Sequence, residues 1–190
     1  MTADARRVAV LVSGRGSNLA ALIRGADEGA TYGIVLVASD RPEAEALAVA
    51  RAQGIATWSA PARAMERTAF DAMLTEQFEQ YAVGTIALAG YMRLLSPQFV
   101  ERWRGRIVNI HPSLLPKYRG LDTHSRALAA GETVTGCTVH LVTEELDAGE
   151  ILAQAEVPIE PGDDAASLRS RVLATEHLVY PAVLEEFVRR

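Results

Sequence analysis

Val108-Asn109-Ile110-His111-Pro112-Ser113-Leu114-Leu115-Pro116-Lys117-Tyr118-Arg119-Gly120 is the stretch on which both the fold and the chemistry turn. Arg106 to Ile110 reads as a strand, and Pro112 ends it because proline has no amide hydrogen to give a sheet. Strand side chains alternate in direction, so Asn109 and His111 point to the same side. An amide and an imidazole therefore stand together at a strand tip, beside a loop stiffened by proline. The pair suits a developing oxyanion: the amide donates without titrating, and the imidazole can donate or move a proton. A strand-end histidine capped by a turn is the plainer alternative, and its local sequence would look the same.

Toward the N-terminus the pattern is strand, turn and helix in alternation. Arg7 to Val12 is a continuous apolar run, as expected of a buried parallel strand. Ser13-Gly14-Arg15-Gly16-Ser17-Asn18 follows it, and Leu19, Leu22, Ile23 and Ala26 then recur at helical spacing. This arrangement aims free backbone amides and the positive end of a helix dipole at an anion. Gly16, Ser17 and Asn18, with Leu19 opening the helix, are the candidate phosphate-binding residues. Leu19 stands where a dinucleotide fingerprint has its third glycine, so a single phosphate fits better than a pyrophosphate. A plain strand-helix turn stays open as an alternative. Further on, strands are expected over Gly33–Ser39, Ile55–Trp58 and Gly84–Gly90, and helices over Glu43–Gln53 and Ala64–Tyr81. Such alternation predicts a doubly wound, mostly parallel α/β sheet, with ligands at the carboxyl ends of the strands. Ser13–Asn18, Tyr91–Leu95 and Asn109–Gly120 leave those ends and should meet at one crevice.

Beyond the key loop a short helix is expected over Thr123–Gly131. Thr135–Thr143 and Ile151–Ile159 then suggest an antiparallel hairpin that extends the sheet. Its loop carries Glu144, Glu145, Asp147 and Glu150, by default a solvated acidic turn. Cys137 lies within the first of these strands and is read as core packing. From Asp164 one long helix runs with Leu168, Val172, Thr175 and Val179 on one face, and Pro181 is expected to kink or break it.

Composition narrows the function classes. The 190 residues fit one domain, numbered 1–190, with a phosphate-binding half to about 110 and catalytic loops over about 91–150. A net charge of −5 gives no global field for nucleic acid or an anionic membrane. One cysteine excludes an intrachain disulfide framework, and His124 and His177 show no ligand spacing, so no metal is inferred. No apolar run has membrane-spanning length and Met1–Arg7 carries no signal core, so a cytoplasmic protein is expected. Oligomeric state is not legible, and a homodimer is left open.

Asn-Ile-His-Pro-Ser-Leu-Leu-Pro-Lys-Tyr-Arg-Gly-Leu-Asp-Thr-His, Asn109 to His124, closely resembles the signature of the folate-dependent phosphoribosylglycinamide formyltransferases. The likeness runs from Val8 to about Tyr180 and is weaker toward methionyl-tRNA formyltransferases and formyltetrahydrofolate hydrolases. It implies a Rossmann-like formyltransferase fold and two small-molecule substrates, 10-formyltetrahydrofolate as co-substrate and 5-phosphoribosylglycinamide. It makes Asn109, His111 and Asp147 catalytic, with Asp147 as the carboxylate that orients the imidazole. It places Gly16, Ser17, Asn18, Leu19 and Glu176 at the phosphoribosylglycinamide. Arg67, Met92, Arg93, Leu94, Leu95, His140, Thr143 and Glu144, together with Asn109 and Asp147, fall to the folate. The position of Leu173 usually holds a polar or basic side chain near the phosphate; either Arg171 compensates or the glycine loop binds alone. A nicotinamide-dependent reductase and a non-catalytic nucleotide-sensing module remain the rivals from the opening strand-glycine-helix.

Overall fold

Apolar runs that bury both faces make the centre of a parallel sheet, and Val8 to Val12 are all fully buried. The computed structural model describes residues 4–190; residues 1–3, the start of the Met1–Arg7 stretch, lie outside it. In chain order the elements are β1 (Arg7–Val12), α1 (Ser17–Asp27), β2 (Gly33–Ser39), α2 (Glu45–Ala52), β3 (Thr57–Ser59), α3 (Arg67–Gln80), β4 (Thr85–Leu88) and α4 (Pro97–Arg102). Then come β5 (Ile107–His111), α5 (Thr123–Ala129), β6 (Val134–Leu141), β7 (Ile151–Pro158) and α6 (Ala165–Val188).

The strands form one sheet in the order β3-β2-β1-β4-β5-β6-β7. β1 to β5 pair in parallel, while β6 and β7 run antiparallel beside them. Strand order reverses at β1, which has β2 on one side and β4 on the other. Loops leaving β1 and β4 therefore diverge to opposite faces and open a crevice between them.

Alternation along β1 feeds two cores. Val8, Val10 and Val12 face one side, where Leu19 and Leu22 of α1, Leu47 of α2 and Leu168, Val172, Tyr180 and Leu184 of α6 cover them. Ala9 and Leu11 face the other, under Phe70, Leu74 and Phe78 of α3 and Phe99 of α4, with Trp103 just beyond it. Phe78 and Trp103 meet edge to face, ring centroids 5.5 Å apart, a preferred aromatic geometry. Cys137 lies in the first core, where burial pushes its thiol up to about 12, a group inert as a nucleophile.

Several boundaries move. The helix expected from Ala64 begins at Arg67, because Ala62–Ala64 closes a separate tight turn and Met65 is extended. The strand expected over Ile55–Trp58 shifts to β3, the one expected over Gly84–Gly90 contracts to β4, and the helix expected over Glu43–Gln53 contracts to α2. The expected break at Pro181 does not occur: α6 runs through it from Ala165 to Val188. Proline there removes a single amide hydrogen, while buried Tyr180, Val183 and Leu184 clamp both flanks to the core.

Tyr180 fixes this helix to the strands that carry the site. Its hydroxyl lies 3.0 Å from the carbonyls of both Leu88 and Val108, on β4 and β5. Tyr180→Phe keeps the ring and removes the donor. A loss of about 1 kcal/mol in urea denaturation, with an unchanged m-value, is the expected outcome.

Candidate active site

β5 presents Asn109 and His111 on one face, and antiparallel pairing sets His140 opposite Asn109 and Thr138 opposite His111. Four polar side chains thus share one patch at the end of the sheet. Asn109 Nδ2 lies 3.1 Å from His140 Nε2. The other ring nitrogen, Nδ1, is 2.8 Å from the Leu141 carbonyl, which can only accept, so Nδ1 carries the hydrogen and Nε2 accepts from Asn109. Burial lowers the pKa of His140, against the opposing influence of the Leu141 carbonyl and Asp147, and so favours this neutral ring. His140 is thereby committed to orienting the Asn109 amide. Both of its ring nitrogens are engaged within the protein in this arrangement.

The loop after β5 is tied down from beneath. Thr138 Oγ1 donates to the Ser113 carbonyl at 2.6 Å and accepts from the Leu115 amide at 3.0 Å. Gln154 Nε2 reaches both Thr138 Oγ1 and the Leu115 carbonyl at 2.9 Å. These bonds bring the Tyr118 carbonyl to 2.9 Å from His111 Nε2. Thr138 and Gln154 were missed in the sequence; Thr138, two residues before His140 on a strand, was the available signal.

Asp147 closes the patch. Its backbone is left-handed, φ 49°, and its side chain is nearly buried. Oδ2 accepts from the Gly120 amide at 2.9 Å and faces His111 Nδ1 at 3.3 Å, while Oδ1 lies 3.6 Å from His140 Nε2. Gly149 lets the loop approach this closely, since a Cβ there would collide with the Leu141 carbonyl. Both nitrogens of His111 thus face oxygens that only accept. Of the other loop carboxylates, Glu144 is exposed and Glu145 pairs with Arg119 at the surface; Thr143, also exposed, donates to the Glu145 carbonyl.

A second cluster forms where α1 starts. Gly16, at φ 85°, turns the chain into the helix with no side chain capping it. The first helical amides, those of Ser17, Asn18 and Leu19, have no intrahelical acceptor. Leu19's side chain is fully buried, so its amide is the only donor it offers. Asn18 Nδ2 donates to Glu176 Oε2 at 2.7 Å, both residues being buried, and among the described residues Asn18 Oδ1 has no partner. Burial raises the pKa of Glu176, against the hydrogen bond from Asn18. Leu173 is half-buried on α6, and Asp163 holds both terminal nitrogens of Arg171, at 2.7 and 2.9 Å.

After β4, Met92 and Leu94 are exposed and Leu95 is half-buried. Arg93 sends its guanidinium to the carbonyls of Ala62 and Met65, at 2.9 and 2.8 Å, so only its backbone remains for a ligand. Arg67 opens α3 and is exposed.

Residues 6–184 match the family model described as formyl transferase. The chain is 45% identical over 182 residues to the Escherichia coli K12 protein named phosphoribosylglycinamide formyltransferase, covering 95% of this chain and 86% of that one. It is also 45% identical to the trifunctional purine biosynthetic protein adenosine-3 of Gallus gallus, over 94% of this chain; it spans only 18% of that much longer relative. Among solved structures, phosphoribosylglycinamide formyltransferase from Brucella melitensis is similar at TM-score 0.91 and 49% identity, covering 97% of this chain and 96% of that one. The Coxiella burnetii enzyme in complex with CHES superposes at TM-score 0.92 and 45% identity, covering 96% and 87%.

Burial of His140 has a pH consequence with a definite sign. Above about pH 6.5 the ring is neutral whether the chain is folded or not. Below it the unfolded chain takes up a proton that the folded one refuses, so this contribution to stability falls as pH drops toward the lowered folded pKa. Glu176, raised by burial, acts in the opposite sense, so the test compares two proteins. From about pH 7.5 to about 5.5 the melting temperature of His140→Gln should decline less steeply than that of the parent chain.

Proposed function

Because this chain belongs to the formyl transferase family, we propose that it transfers the formyl group of 10-formyltetrahydrofolate to the amine of 5-phosphoribosylglycinamide. The products are 5-phosphoribosyl-N-formylglycinamide and tetrahydrofolate, a step of de novo purine synthesis. The observation that carries this reading is the patch in which His140 aims the Asn109 amide while Asp147 holds the His111 ring. No nucleophilic side chain is needed, because the substrate amine is itself the nucleophile, and the buried Cys137 offers none.

The amine attacks the formyl carbon and a tetrahedral oxyanion forms. The second hydrogen of Asn109 Nδ2 is free to donate to it, and one such donor is typically worth about 3–4 kcal/mol in the transition state. His111 Nε2 is the other donor, and the oxyanion must share or displace the Tyr118 carbonyl to receive it. The bond from the formyl carbon to the folate nitrogen then breaks. The amine's proton passes through water and Asp147 to that leaving nitrogen. The amides of Ser17 to Leu19 hold the phosphate and Glu176 the amine end, with the Asn18–Glu176 bond linking the two. Met92, Leu94 and Leu95 wall the pterin, Arg67 approaches the donor, and Thr143 and Glu144 border it. Leu19 fills the place of a third glycine, fully buried, which counts against a dinucleotide. Among the described residues no helix is long and apolar enough to cross a membrane.

Purified protein should consume 10-formyltetrahydrofolate only when phosphoribosylglycinamide is present. Asp147→Asn should lower turnover roughly 10²-fold while both substrates still bind. Combined with His111→Ala it should be little worse than the worse single variant, because groups acting as a unit are non-additive. Fully additive losses in the four turnover numbers would remove Asp147 from the mechanism. Gly16 is a poor probe of the phosphate site, since a Cβ there would stand 2.6 Å from that of Ala46. Ser17→Ala, which keeps the backbone amide and removes the hydroxyl, tests only what the hydroxyl adds.

A further inference from the structure

Ser13 follows β1 immediately and is 3% exposed, yet nothing in the proposed chemistry uses it. Its hydroxyl donates to Asp40 Oδ1 at 2.6 Å and accepts from the Met92 amide at 2.9 Å. Asp40, just past β2, has a side chain 10% exposed, and its backbone carbonyl accepts from the Ala62 amide at 3.2 Å. Ala62 in turn gives its carbonyl to Arg93, the neighbour of Met92, whose guanidinium also sits 5.4 Å above the ring of Phe70. Ser13, Asp40, Ala62, Arg93 and Met92 therefore close a ring. It joins the ends of β1 and β2, the turn before α3 and the loop after β4.

We propose that Ser13, backed by Asp40, is a positioning residue that sets the folate-side loop at a fixed distance from the phosphate loop. The proposal rests on the function proposed above. Ser13 is one bond from Gly14, whose carbonyl accepts from the Ala46 amide at 3.1 Å and so anchors the glycine loop to α2. On its other side Ser13 holds the Met92 amide. Among the described residues no other side chain bonds directly to that amide. The carboxylate of Asp40 takes the hydroxyl hydrogen and polarises the oxygen, which makes it a stronger acceptor for Met92. Reaction between two bound substrates depends steeply on their mutual placement, so slack at Met92 should cost rate as well as folate binding.

Three measurements test this. Ser13→Ala should lower kcat/KM for 10-formyltetrahydrofolate about tenfold, with the KM for phosphoribosylglycinamide nearly unchanged. Hydrogen exchange at the Met92 amide should quicken at least about tenfold, a readout independent of catalysis. Ser13→Thr, which keeps the hydroxyl, should recover most of the loss, and Asp40→Asn, which keeps an acceptor, should lose only about threefold. Ser13→Ala combined with Asp40→Ala should be no worse than the worse single variant. Equal changes in the two KM values, unchanged Met92 exchange, or additive losses would overturn the proposal. If Ser13→Ala fails to fold, Asp40→Asn decides: a folate KM and Met92 exchange both at parent values would refute it. A parent protein that does not formylate phosphoribosylglycinamide would instead refute the proposed function, and Met92 exchange would still report on the ring.

Discussion

A single carboxylate, that of Asp147, holds the site together. Oδ2 receives the Gly120 amide and faces His111, and Oδ1 faces His140, so the loop after β5 and the loop after β6 meet on one side chain. A nearly buried carboxylate is costly unless donors surround it, and here the Gly120 amide and the His111 ring supply them. The converse cost is also large. Removing the side chain would strand the Gly120 amide and one imidazole nitrogen, each at about 1–3 kcal/mol if left buried without a partner. The left-handed backbone at Asp147 is the conformational strain accepted for this geometry.

Two histidines on the same patch are held in opposite conditions by what surrounds them. His140 is buried, donates from Nδ1 to its neighbour's carbonyl and accepts at Nε2 from Asn109, which suits a neutral ring. His111 faces an acceptor at each nitrogen. One ring aims an amide and the other offers hydrogens. The same side chain serves both tasks because hydrogen-bond partners, rather than residue type, fix the tautomer.

The strand at Asn109 and His111 was legible because alternation needs only local sequence, and the parallel α/β order followed from repeated strand-helix alternation. The hairpin was legible too, but its register was not, and register is what sets His140 against Asn109. Asp147 could not be chosen from the residues alone among four neighbouring carboxylates; the family resemblance chose it. Its special position comes from a left-handed turn and from the close approach at Gly149, neither of which composition encodes. Arg93 came to the folate side through the family resemblance alone; that its guanidinium bonds the carbonyls of Ala62 and Met65 was not legible in its local sequence. Pro181 was weighed as a local helix breaker, and tertiary packing outweighed it. Ser13 drew no notice because its partners lie 27 and 79 residues away.

The larger core joins Val8, near the beginning of the chain, to Val188, near its end, with α6 laid beside α1. A ribosome delivers these parts in sequence, so β1 and α1 must wait for α6 before that face of the sheet is sealed. Until then Leu19, Leu22 and Val10 lack the cover of Leu168, Val172 and Tyr180. Such long-range closure slows folding and exposes sticky surface to chaperones during synthesis. This face of the sheet is thus most vulnerable just before α6 leaves the exit tunnel.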